Sequence, residues 1–99
     1  MKRVDCLVAL VILCVSPSAA PAIDVAPPGA AGCSGCHPVS RAVETPFTRL
    51  VGRNATEIVT AVQEFRTGQR PGTVMDRIAK GFTDDEIKAI AAWYAAQKD

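Results

Sequence analysis

Two thiols and an imidazole stand together at Cys33-Ser34-Gly35-Cys36-His37, and no other short stretch of the chain gathers comparable chemistry. Side chains three positions apart on a helical turn face the same side. Each thiol can therefore add to one vinyl group of a single haem, and the adjacent His37 then lies under the iron as proximal ligand. A structural zinc site wants four Cys or His ligands. His37 is the only histidine, and the two other cysteines, Cys6 and Cys14, lie far upstream in an apolar run. A thioredoxin-like redox pair wants a βαβ setting, for which the chain has neither the length nor the alternating pattern. The motif points to one haem c per chain, attached through Cys33 and Cys36.

The sixth iron ligand follows by elimination. With a single histidine, bis-histidine ligation within one chain is impossible. Met75 is the only methionine besides Met1, and it follows a run of helix breakers, Arg70-Pro71-Gly72-Thr73-Val74. A lone methionine can fill a core gap, but a polar loop offers little core to fill. His37 and Met75 are the expected axial pair, a set that raises the reduction potential relative to two histidines.

What positions these residues must fit within 99 residues, which is one small domain. The chain opens with Lys2 and Arg3, then the apolar run from Cys6 to Val15, the break at Ser16-Pro17 and the small residues Ala20-Pro21-Ala22. That pattern reads as a secretory signal cleaved after Ala22, since the run is about half of the roughly 20 residues that span a bilayer. The expected layout is a signal over 1–22, a linker over 23–28 and one domain over 29–99. Export to the periplasm agrees with haem attachment, which takes place outside the bacterial cytoplasm.

Eleven Lys and Arg face ten Asp and Glu, and the signal removes Lys2, Arg3 and Asp5, so the mature charges balance. Nothing in that balance suggests nucleic acid or an acidic membrane surface as partner. Cys6 and Cys14 also leave with the signal. A domain this small usually needs a staple, and a Cys33–Cys36 disulfide would close too short a loop to supply one. A buried haem would provide the missing apolar surface.

The remaining pattern is all-α. A first helix through Gly29-Ala30-Ala31-Gly32, with Pro28 suited to its first turn, delivers both cysteines before Pro38 ends it. Residues 38–53 read as a loop wrapping the haem, with a short turn near Phe47–Leu50. Asn54-Ala55-Thr56-Glu57 forms a capping box, Ile58, Val62 and Phe65 follow at helical spacing, and Gly68 closes the helix. A second box, Thr83-Asp84-Asp85-Glu86, opens the last helix, whose inner stripe is Ile87, Ile90, Ala91 and Tyr94 with Trp93 at its edge.

The Cys-x-x-Cys-His motif, the methionine loop and a terminal helix carrying Ile90-Ala91-Ala92-Trp93-Tyr94 together resemble a class I cytochrome c, over nearly all of Gly29–Gln97. The resemblance implies N- and C-terminal helices crossing near right angles around one covalently bound haem. A narrower stretch, Glu64-Phe65-Arg66-Thr67-Gly68-Gln69-Arg70 and then Thr73-Val74-Met75-Asp76-Arg77-Ile78-Ala79-Lys80-Gly81, is similar to the cytochrome subunit of flavocytochrome c sulfide dehydrogenase. That likeness implies an FAD-containing flavoprotein sulfide dehydrogenase subunit as electron donor and a downstream periplasmic cytochrome as acceptor. The family also implies a proline carbonyl that orients the proximal imidazole. Pro46, the only proline between Pro38 and Pro71, is the candidate, although Val39–Glu44 lacks the glycine usual in this loop.

Arg66, Arg70, Arg77 and Lys80 bracket the methionine loop, either as solvated charges or as partners for haem propionates or a protein's acids. No acid, base or nucleophile constellation is present, so the chain alone is not expected to be a catalyst. Two classes stay open: an electron-transfer subunit held on a flavoprotein, and a free soluble periplasmic carrier serving several partners.

Overall fold

The computed structural model describes residues 25–98, and every element in that span is helical. The expected signal over 1–22 lies outside the described residues. Helix α1 spans Ala30–Ser34, α2 spans Ala55–Thr67, α3 spans Met75–Ile78 and α4 spans Asp84–Ala96, with a 3₁₀ turn at Ala79–Gly81 between the last two.

Helix α1 starts two residues later than Pro28, at a backbone position only glycine suits. Gly29 is its N-cap with φ 90°, in the left-handed region that costs residues with a Cβ. A Cβ there would also stand 2.6 Å from a ring carbon of Phe82 and 3.3 Å from Ile90. The closeness of Gly29 to α4 lets α1 pack backbone-first against it.

Helix α2 is capped by Asn54, whose side chain accepts from the Thr56 and Glu57 amides at 2.9 and 3.3 Å. Such a cap contributes about 1 kcal/mol. The expected reciprocal box is only half present, because Glu57 turns towards Arg53 at 3.9 Å. Gly68, at φ 82°, stops the helix as a left-handed cap. In α4 the full box forms: Thr83 accepts from the Glu86 amide and the Glu86 carboxylate accepts from the Thr83 amide.

Ile87, Ile90, Ala91 and Tyr94 are the buried residues of α4. Ala30 of α1, Ile58 of α2, Ile90, Ala91 and Tyr94 form one core, with Cys33, Leu50, Phe82 and Trp93 packed around it. Burying isoleucines such as Ile58 and Ile90 contributes roughly 1.5–3 kcal/mol each. Tyr94 carries its hydroxyl into this core by donating to the Ala30 carbonyl at 2.7 Å. Its own carbonyl accepts from the Gly52 amide at 3.1 Å, which ties the end of the 38–53 loop to α4.

The Met75 segment, expected as loop, is a four-residue helix without a side-chain cap. Propensity cannot sustain so short a helix, so tertiary contacts hold it. Gly72 passes so close to α2 that a Cβ would lie 2.9 Å from the Phe65 ring. On the far side, Arg66 of α2 donates to the carbonyls of Ala79 and Phe82 at 3.3 and 2.8 Å.

Candidate haem site

The motif turn is built on one carbonyl. After α1 ends, the amides of Cys36 and His37 both donate to Cys33 O, at 3.2 and 2.8 Å. The helix expected to carry both cysteines up to Pro38 thus ends at Ser34 and continues as a turn through Gly35 and Cys36, on which residues three apart fall to the same side. Ser34 between them is anchored to the core, its hydroxyl 2.7 Å from that of Tyr94. The motif is therefore hydrogen-bonded directly to the domain core.

Cys33 is half-buried and Cys36 exposed, with no disulfide between them. Burial pushes the Cys33 thiol above its ordinary value, against a smaller backbone hydrogen-bond effect. Among the described residues no three His, Cys, Asp or Glu side chains gather as a metal-binding group. Cys33, Cys36 and His37 line a turn; they do not surround a point as zinc ligands would.

The imidazole of His37 is half-buried, and its Nδ1 is hydrogen-bonded to the carbonyl of Thr48. A carbonyl only accepts, so the proton sits on Nδ1 and the lone pair is left on Nε2. This tautomer suits a metal-ligating histidine, with the second nitrogen held by a backbone oxygen. The family implied a proline carbonyl here, with Pro46 as candidate. The structure gives that place to Thr48, two residues on, while Pro46 is exposed in the same loop. The shift has a local cause: Thr45 Oγ1 donates to Cys36 O at 3.0 Å and accepts from the Phe47 amide at 3.2 Å. These bonds turn the chain at Pro46 before it passes the ring. Phe47 lies beside the imidazole with ring centroids 6.1 Å apart.

Met75 is the first residue of α3 and half-buried, on the segment pinned against α2. Two of the four basic residues bracketing it are engaged within the chain. Arg66 pairs with Asp84 at 2.6 Å, and that guanidinium holds the Asp84 carboxyl below the usual range. Arg70 pairs with Glu64 at 2.8 Å and lies over the Phe65 ring at 5.6 Å. Arg77 and Lys80 are exposed. Sequence reasoning missed Thr48 and Arg49, because a backbone carbonyl carries no residue signal and a loop arginine reads as a solvated charge.

Two buried polar atoms have no partner among the described residues, Trp93 Nε1 and Asp76 Oδ1. An indole N–H is a donor only, so Trp93 Nε1 is a buried donor open to an acceptor outside the described residues. With two thiols on one face of a turn and a histidine in the ligating tautomer, the residues fit covalently bound haem.

This fold and site define an all-helical domain, over the described residues, whose motif suits covalent haem attachment. The curated relatives agree. The chain is 37% identical over 62 residues to the cytochrome subunit of sulfide dehydrogenase of Chlorobaculum tepidum, covering 63% of this chain and 56% of the relative. It is 33% identical over 70 residues to cytochrome c-554(548) of Halomonas halodenitrificans, covering 67% and 84% respectively. It is also 33% identical over 67 residues to the thiosulfate dehydrogenase electron acceptor of Stutzerimonas stutzeri, covering 64% of this chain and 31% of the relative. The match thus spans just over half of the first relative and under a third of the last. No protein-family model and no solved structure matches the chain. The chain belongs to the c-type cytochromes, electron-transfer proteins with covalently bound haem c.

Proposed function

We propose that the chain is a periplasmic monohaem subunit that accepts electrons from an FAD-containing sulfide dehydrogenase subunit and passes them to a downstream periplasmic cytochrome. The observation that carries the haem part is the His37–Thr48 bond, which leaves Nε2 free for iron beside the two thiols. The likeness to a sulfide dehydrogenase cytochrome subunit supports the choice of donor.

In this reading Cys33 and Cys36 hold the haem by thioethers, His37 is the proximal ligand and Met75 the distal one. Bound haem supplies the one-electron ferric/ferrous couple. The protein's part is to fix ligands, exclude water and present one edge to partners. Residues 1–22 are a cleaved signal, 23–28 a linker and 29–99 the haem domain, with α1 and α4 crossing beside the haem. Pro46 serves the turn that sets up Thr48. The chain is an electron-transfer subunit and not a catalyst by itself, a reading supported by relatives named as a cytochrome subunit and an electron acceptor. Among the described residues no helix is long and apolar enough to cross a membrane.

One observation favours a second reading. Cytochrome c-554(548), whose name carries no dehydrogenase, is matched over 84% of its length, which supports a free periplasmic carrier. Purifying the native protein separates the two. A fixed subunit co-elutes with a flavin-bearing chain, whereas a free carrier elutes alone and its reduction slows steeply as salt screens its charges.

A further inference from the structure

Three hydrogen-bonded crossings join the two arms of the 36–49 loop, and their order along the chain is informative. Thr45 reaches back to the Cys36 carbonyl at 3.0 Å. Thr48 O receives the His37 ring. Arg49 then spreads its guanidinium over three carbonyls of the opposite arm, donating to Pro38 at 3.4 Å, Ser40 at 3.1 Å and Val43 at 2.6 Å. The His37–Thr48 contact therefore lies between two side-chain clasps, one on either side. Arg49 is half-buried, and all three acceptors it uses are backbone oxygens, for which the rigid planar fork of arginine is suited and the single ammonium of lysine is not.

We propose that Arg49, assisted by Thr45, is a positioning residue for the iron ligand. By holding residues 38–43 against residues 45–49 it keeps the Thr48 carbonyl on the imidazole, and through that bond it fixes ring orientation and raises ligand basicity. Such partners of a ligating histidine tune metal affinity and electronics. A more basic imidazole favours ferric iron, so loosening the clasp raises the reduction potential. The inference rests on the haem reading above.

The sign of the effect separates this role from plain charge. Removing a cation near the haem favours the ferric state and lowers the potential, whereas losing the ring's hydrogen bond raises it. Arg49→Lys keeps the charge and loses the fork. In the haem-loaded protein we expect Arg49→Lys to raise the midpoint potential and speed solvent exchange of the His37 Nδ1 proton, seen by NMR. Thr45→Val should act in the same direction and serves if Arg49→Lys does not fold. Arg53→Gln, on the exposed side of α2's N-terminus, should leave the Nδ1 exchange unchanged. Potential and exchange unmoved in both clasp variants, with haem bound as in wild type, overturn the positioning role alone. Wild-type protein that takes up no covalent haem overturns the haem reading and this inference with it.

Discussion

The hydroxyls of Ser34 and Tyr94 lie 2.7 Å apart, one inside the haem-attachment motif and the other buried on the last helix. Tyr94 is fully buried and its hydroxyl donates a hydrogen bond to the Ala30 carbonyl. The residue between the two cysteines is thus docked on the core before any prosthetic group is considered.

Tyr94→Phe keeps the ring and removes this network. Losing hydrogen bonds of this kind from a buried site costs about 1–2 kcal/mol, and each kcal/mol lowers the melting temperature of a domain this size by about 4–8 °C. Ser34→Ala, which spares the Tyr94–Ala30 bond, should cost less. Thermal unfolding of the three proteins checks the order. Equal melting temperatures would show that the hydroxyls contribute nothing.

The same side chain makes stability sensitive to alkali. Burial pushes the Tyr94 hydroxyl above its ordinary value, with the Ser34 bond working in the other direction. The unfolded chain therefore releases this proton first, near the usual tyrosine value of about 10. Between the unfolded and folded values the native state binds more protons, so the stability present below about pH 10 falls as pH rises. Denaturant midpoints should drop more steeply with pH in wild type than in Tyr94→Phe. Parallel curves would mean that Tyr94 ionises as readily folded as unfolded.

Met75→Leu tests the distal ligand. The covalent haem should remain, since Cys33 and Cys36 are untouched. The weak near-infrared absorption of sulfur on ferric iron should vanish, the potential should fall because methionine ligation raises it, and ferrous iron should bind carbon monoxide. A spectrum identical to wild type would take Met75 out of the iron site.

Much of this arrangement was legible in the sequence where local rules act alone. The stripe Ile87, Ile90, Ala91 and Tyr94 is buried as its spacing implied, and Thr83–Glu86 closes its box, because capping and periodicity need only neighbours in the chain. The features that were not legible depend on distant partners. Met75 opens a helix whose flanks are held to α2, by the close approach of Gly72 to Phe65 and by the bond from Arg66 to the Ala79 carbonyl. Arg66, read as a solvated or partner-facing cation, is spent on two carbonyls and Asp84. Thr48 took the place expected of Pro46 because any residue offers a carbonyl, and tertiary clasps decide which one arrives.

The central claim is that Cys33 and Cys36 carry haem covalently, and the intact mass of the exported chain after denaturation tests it most directly. The exported polypeptide should be shortened at its N-terminus and heavier by one haem, whose colour survives acid–acetone extraction. In Cys36→Ser the covalent attachment should weaken. A denatured wild-type chain with the mass of polypeptide alone, or a haem that extracts completely into acid–acetone, would contradict it.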